Sequence, residues 1–131
     1  MSQLAASFLR LSRLDVAGAR RLLPDMPLLT AFHLQQAGEK LVKAELVLAG
    51  LTPPYLHNIG TLVRLLPIGH PHTGPLLELA DLTVYAVAAR YPGGDELEPS
   101  LDPDDLARRA DDIESLLDET SRGLPPVSTD G

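Results

Sequence analysis

PLLTAFHLQQAGEKLVKAELVLAG, residues 27–50, carries apolar side chains at Leu34, Ala37, Leu41, Ala44 and Leu48 in steps of three and four. That spacing returns each of them to one face of a 3.6-residue repeat, so a long amphipathic helix is predicted over residues 27–49. Gly50 stands where a helix C-terminal glycine belongs, and Pro53-Pro54 forbids continuation.

The same period extends in both directions. Upstream, residues 3–23 read as a helix with Leu4, Phe8, Leu11 and Leu14 in one stripe, weakened at Gly18 and ended by Pro24. Downstream, a short helix is predicted over residues 57–66, anchored by Ile59, Leu62, Val63 and Leu66 and stopped by Pro67. The loop IGHPHTGP follows. A fourth helix is expected over residues 75–91, burying Leu76, Leu79, Ala80, Thr83, Val84 and Val87, until Pro92-Gly93-Gly94 breaks it. An acidic, irregular linker covers residues 95–101. The last helix opens on Asp102-Pro103-Asp104-Asp105: a capping aspartate, a proline at the first helical position, and two carboxylates at the positive end of the helix dipole. Leu106, Ala110, Ile113 and Leu117 form its stripe, and Arg122-Gly123 closes it. No run alternates with period two. The expectation is all-α: an up-and-down bundle of four long helices plus one short helix, spanning residues 1–123 as one domain, with 124–131 as a disordered C-terminal tail.

Composition narrows the class. The 131 residues contain no cysteine, which excludes disulfides and thiolate metal sites and suits a reducing compartment. The first apolar stretch is interrupted by Arg10 and Arg13, and no window approaches the ~20 apolar residues of a bilayer span, so a cytoplasmic protein without a membrane segment is expected. The net charge of −7 counts against general nucleic-acid binding, because such binders neutralise phosphates with Lys and Arg. The charge is uneven, though. Residues 95–119 are strongly acidic, whereas Arg10, Arg13, Arg20, Arg21, Lys40, Lys43 and Arg64 gather in the first half and leave room for a local basic face.

Several residues are candidates for chemistry. His33, Gln36, Lys40 and Lys43 project along one side of the second helix, where lysines and amide donors could cradle a phosphate. The alternative is a solvated face with Glu39 pairing to Lys43 at i to i+4. Arg90 sits at a helix C-terminus, either complementing the dipole or binding an anion, with Tyr91 beside it at an interface. His57 precedes the short helix and could cap it. His70 and His72 flank a proline; a zinc site needs three or four well-placed ligands, and two loop histidines without cysteine are a weak signal, so no metal is expected. Glu78, Asp81 and Tyr85 share a face that could meet Lys40 and Lys43 in a charge network. No glycine-rich phosphate loop is present.

Three segments, in order, resemble one family. Residues 31–46, AFHLQQAGEKLVKAEL, are similar to the second-helix signature of HEPN domains, with its glutamine-alanine, glutamate-lysine and lysine-alanine pairs. His57-Asn58-Ile59 followed by Leu62 resembles the family's histidine-led short helix, and Ala89-Arg90-Tyr91-Pro92 resembles the close of its next long helix. The resemblance spans residues 14–117. It implies a five-helix bundle, dimeric and cytoplasmic, of bacterial type and often encoded beside a minimal nucleotidyltransferase. Beside this resemblance, the helix-face reading makes His33, Gln36, Lys40, Lys43 and Arg90 the expected nucleotide-binding residues, with His57, Tyr85 and Tyr91 as dimer or structural residues.

Ribonuclease members of that family carry an arginine followed by a histidine after four to six residues. Counting from Arg90 reaches Asp95, Glu96 and Leu97, and the match of Arg64 with His70 straddles Pro67 in another part of the bundle. The expectation is therefore a non-catalytic nucleotide-binding or protein-interaction module. No catalytic residue, metal or cofactor is assigned, and RNA binding is left open. Its expected partners are a second copy and the nucleotidyltransferase of a toxin-antitoxin pair. A divergent metal-independent ribonuclease toxin and a purely structural dimeric domain are the alternatives.

Overall fold

The computed structural model describes residues 2–89 and 101–123. Among these described residues, six α-helices and one 3-10 turn follow in order: α1 (Ser2–Leu22), α2 (Pro27–Leu48), α3 (Ile59–Val63), α4 (Thr73–Leu77), the turn Ala80–Leu82, α5 (Thr83–Ala88) and α6 (Pro103–Arg122). No strand occurs among the described residues, and the all-α class is as expected. The expected linker over 95–101 (Leu101 apart), the 124–131 tail, and Arg90 and Tyr91 lie outside the described residues.

α2 is the axis of the molecule. α1 and α6 pack on it and on each other, while α3 and α5 cover it from another side. Burial therefore reaches well beyond the predicted stripe, to Thr30, Ala31, Gln35, Gly38, Glu39, Val42, Lys43, Glu45, Leu46 and Val47. Leu48, by contrast, is exposed at the helix end. The α2 terminus is built as a Schellman motif: Leu51 N–H donates to Leu46 O at 2.9 Å and Gly50 N–H to Val47 O at 2.9 Å. This geometry turns Gly50 to a φ of +83°, a conformation that L side chains rarely adopt.

α1 departs from its predicted stripe. Leu4, Leu11 and Leu14 are exposed, and the buried row is Ala5, Leu9, Ser12, Val16 and Ala19. The cause is close packing on α2. Small side chains at 5, 12 and 19 let the backbones approach, and the buried Ser12 hydroxyl donates to Ala37 O at 2.7 Å. The area lost by turning leucines outward is offset by contact with a helix that is itself almost wholly inside.

The expected fourth helix is divided into α4, the 3-10 turn and α5. Leu76, Leu79 and Leu82 are all buried and recur every three residues, the period that a 3-10 winding aligns. The bonds follow the same period, with Leu79 N–H donating to Leu76 O and Leu82 N–H to Leu79 O, both at 3.0 Å. The winding leaves Val84 and Val87 exposed, not buried as expected. α3 is also shorter than predicted. Asn58, not His57, caps it by accepting from Thr61 N–H at 3.0 Å. α6 matches its reading, with Asp102 accepting from Asp104 N–H at 3.1 Å and Leu106, Ala110, Ile113 and Leu117 buried.

Exposed charge pairs also join the outer helices. Arg13 meets Asp118 at 2.9 Å, and Arg20 meets Asp111 at 2.8 Å and Glu114 at 3.1 Å. Two α1 arginines, Arg13 and Arg20, thus face the acidic α6, while Arg10 and Arg21 are exposed. Asp81 meets Arg109 of α6, not the lysines of α2: two parallel bonds of 2.6 Å join the guanidinium to the carboxylate. Arg109 adds a bond to Glu78 O at 3.1 Å. The Arg109 bond holds the Asp81 carboxyl below its ordinary value.

Two predictions follow the geometry. Gly50→Ala should cost about 1 kcal/mol in urea unfolding, since its Cβ meets no neighbour and only the positive φ opposes it. For Asp81, depression of the folded pKa means the stabilisation is complete above the unfolded carboxyl's pKa and fades as pH falls through the folded one. Wild type should exceed Asp81→Asn by roughly 1 kcal/mol at pH 7, and the difference should close progressively below about pH 4.

Candidate functional site

Three polar clusters hang on α2, each centred on a carboxylate. The first lies at its junction with α1. Asp15 receives Lys40 Nζ at 2.5 Å and stands 3.3 Å from His33 Nδ1. His33, Gln36 and Lys40 are only half-buried, so this row is an edge of α2 that meets solvent.

The second cluster is deeper. Glu39 is 5% exposed and is held by Lys43 Nζ at 3.2 Å and Gln35 Nε2 at 3.3 Å. Gln35 also donates to His57 O at 3.0 Å and accepts from Gln36 Nε2 at 2.6 Å. His57 Nδ1 lies 3.2 Å from Glu39 Oε2, and its ring is 70% exposed. The arrangement is a buried ion pair that reaches solvent through half-buried Gln36 and through an imidazole anchored at one nitrogen.

The third cluster joins α2, the loop before α4, and the end of α6. Buried Glu45 lies 2.9 Å from His70 Nε2 through one oxygen and 3.2 Å from His72 Nδ1 through the other. Thr120 donates its hydroxyl to Glu45 at 2.5 Å, and His72 Nε2 lies 3.0 Å from Glu119. The His72 amide donates to His70 Nδ1 at 3.0 Å.

The residues predicted from the sequence are thus divided. His33 and Lys40 share Asp15; Gln36, Lys43 and His57 belong to the Glu39 network. Tyr85 packs against the core. The sequence reading missed Asp15, Gln35 and Glu45, and it saw Glu39 only as a surface partner for Lys43. Helical spacing carries the Glu39–Lys43 pair, but nothing local links Asp15 to a lysine 25 residues on. An open groove of about 500 Å³ between α4 and α6 is lined by Pro75, Glu78, Arg108, Arg109 and Asp112, and no α2 residue reaches it. Its arginines are engaged, Arg108 with Asp105 and Arg109 with Asp81.

No buried side-chain nitrogen or oxygen among the described residues lacks a partner. Removing one member of the buried pair therefore leaves an uncompensated charge. Glu39→Ala should destabilise the fold by roughly 3–5 kcal/mol, while Lys40→Ala, at the half-exposed edge, should cost about 1 kcal/mol or less by thermal unfolding.

The model of the family described as HEPN domain matches residues 7–123. No curated protein and no solved structure gives a match. No helix among the described residues is long and apolar enough to cross a membrane.

Proposed function

The chain belongs to the HEPN domain family, and from that premise we propose that it acts as a non-catalytic nucleotide-binding module. In this reading it works in the cytoplasm as a homodimer beside a minimal nucleotidyltransferase, as one half of a toxin-antitoxin pair. The observation that carries the reading is the half-exposed row His33, Gln36 and Lys40 on a helix otherwise buried along most of its length.

The chemistry of that row suits a phosphate. Lys40 Nζ is held on Asp15 at the surface, and a phosphate bearing more charge than a carboxylate competes for it. Gln36 supplies amide donors, and His33, whose Nδ1 faces Asp15, offers its ring N–H to the phosphate that displaces that carboxylate. Lys43 remains with Glu39 and stiffens the row from behind. Arg90 follows α5 in the chain and is the further cation of this reading. The exposed apolar row Leu4, Leu11 and Leu14 on α1, at steps of seven and three, is the surface a second copy would cover.

The non-catalytic part rests on His70. It is the only histidine standing at the ribonuclease spacing from an arginine, and both its ring nitrogens are engaged, by Glu45 and by the His72 amide. One observation favours a ribonuclease instead. His57 is oriented by Glu39 through Nδ1 and turns an exposed ring to solvent, the arrangement of a general base.

Purified protein titrated with a nucleotide panel, and incubated with labelled single-stranded RNA, separates the two. Saturable nucleotide binding without cleavage, weakened about tenfold or more by Lys40→Ala and by Arg90→Ala but not by His57→Ala, is the expected outcome. Cleavage abolished by His57→Ala would establish the nuclease, and silence in both assays would leave a protein-interaction domain.

A further inference from the structure

We propose that Glu45, His70 and His72 form a binding site for a divalent transition ion of the zinc class. The three potential ligand atoms all lie within 4.8 Å of one another. The carboxylate stands 2.9 Å from His70 Nε2 and 3.2 Å from His72 Nδ1. Ligands bound at about 2.0–2.1 Å on a tetrahedral ion stand roughly 3.3 Å apart, so small rotations bring these atoms onto one centre. Two imidazoles and one carboxylate are a three-ligand set with a fourth position open. Nitrogen donors favour borderline ions over magnesium or calcium, which take oxygen.

The surroundings are those of a built site. Glu119 accepts from the far nitrogen of His72 at 3.0 Å, which fixes the ring with Nδ1 turned inward. Thr120 anchors Glu45 from α6. Gly69, at a φ of +85°, turns the chain immediately before His70 and delivers both histidines to the same carboxylate. Charge balance points the same way. Of the two buried carboxylates, Glu39 has Lys43, whereas Glu45 is paired among the described residues only with imidazoles. A bound cation supplies the positive charge that no lysine or arginine brings there.

Loading carries a defined local change. His70 Nδ1 accepts the His72 amide, so the ring's proton sits on Nε2. Ligation through Nε2 moves that proton to Nδ1, and the His72 amide must release its acceptor. The ion thus joins α2 to the loop while altering the turn at Pro71.

The test is calorimetric titration of the chelator-stripped full chain with zinc chloride, with magnesium and calcium chloride in parallel. One zinc per chain at a Kd of about 10 µM or tighter is expected, with no saturable magnesium or calcium binding and a higher Tm in zinc. His70→Gln and His72→Gln should each weaken zinc at least tenfold while retaining helical circular dichroism. His33→Gln and His57→Gln should leave it unchanged. In the amide NMR spectrum, zinc should shift His72 among the largest signals. No saturable zinc binding, or binding lost equally in the His33 and His57 variants, overturns the site.

Discussion

Enclosing α2 on most of its surface makes every ionisable group on that helix depend on a partner. An isolated charge inside a protein is costly enough that it must be paired or neutralised. Glu39, Lys43 and Glu45 are all buried, and each is answered: Glu39 by Lys43, Gln35 and His57, and Glu45 by two histidines and a threonine. The elements around α2 are positioned as much by these requirements as by apolar contact. The segment carrying His57 and the loop carrying His70 and His72 are tied to α2 by polar bonds that apolar packing alone would not specify.

The same logic organises the outside of the bundle. α1 and α6 meet through Arg13 with Asp118 and Arg20 with Asp111 and Glu114, so an acidic helix lies along the arginines of the first. Exposed pairs of this kind contribute little energy individually. Their consequence is electrostatic: Arg13 and Arg20 are answered within the chain and are not left to gather a nucleic acid. Polar reach from the central helix is then concentrated at the His33, Gln36 and Lys40 edge and at His57.

All four histidines face carboxylates, yet they differ in what remains available. His70 uses both nitrogens within the fold, and His72 meets a carboxylate on each side. His57 is anchored on one side and open on the other. Lys40 and Glu45 are five residues apart, about 7.5 Å along the helix axis and on different faces, so the nucleotide reading and the metal site occupy separate parts of one scaffold.

The all-α class, the strong central helix, the capping of α6 by Asp102 and the stop at Gly50 were legible in the sequence, because period, caps and turn residues are properties of neighbours along the chain. The face of α1 was not. Leucines at 4, 11 and 14 make as good a stripe as Leu9 and Val16, and the choice fell to the small residues that permit close approach to α2. The break of the fourth helix was legible only as Leu76, Leu79 and Leu82 in steps of three, a period that acquires meaning once all three are seen to be buried. The clusters depended entirely on the tertiary structure. Asp15 with Lys40, Glu39 with His57, and Glu45 with His70 and His72 join residues 18 to 27 positions apart. No local pattern encodes such pairs, since they arise from helices folding back on one another and from the need to satisfy each charge they bury.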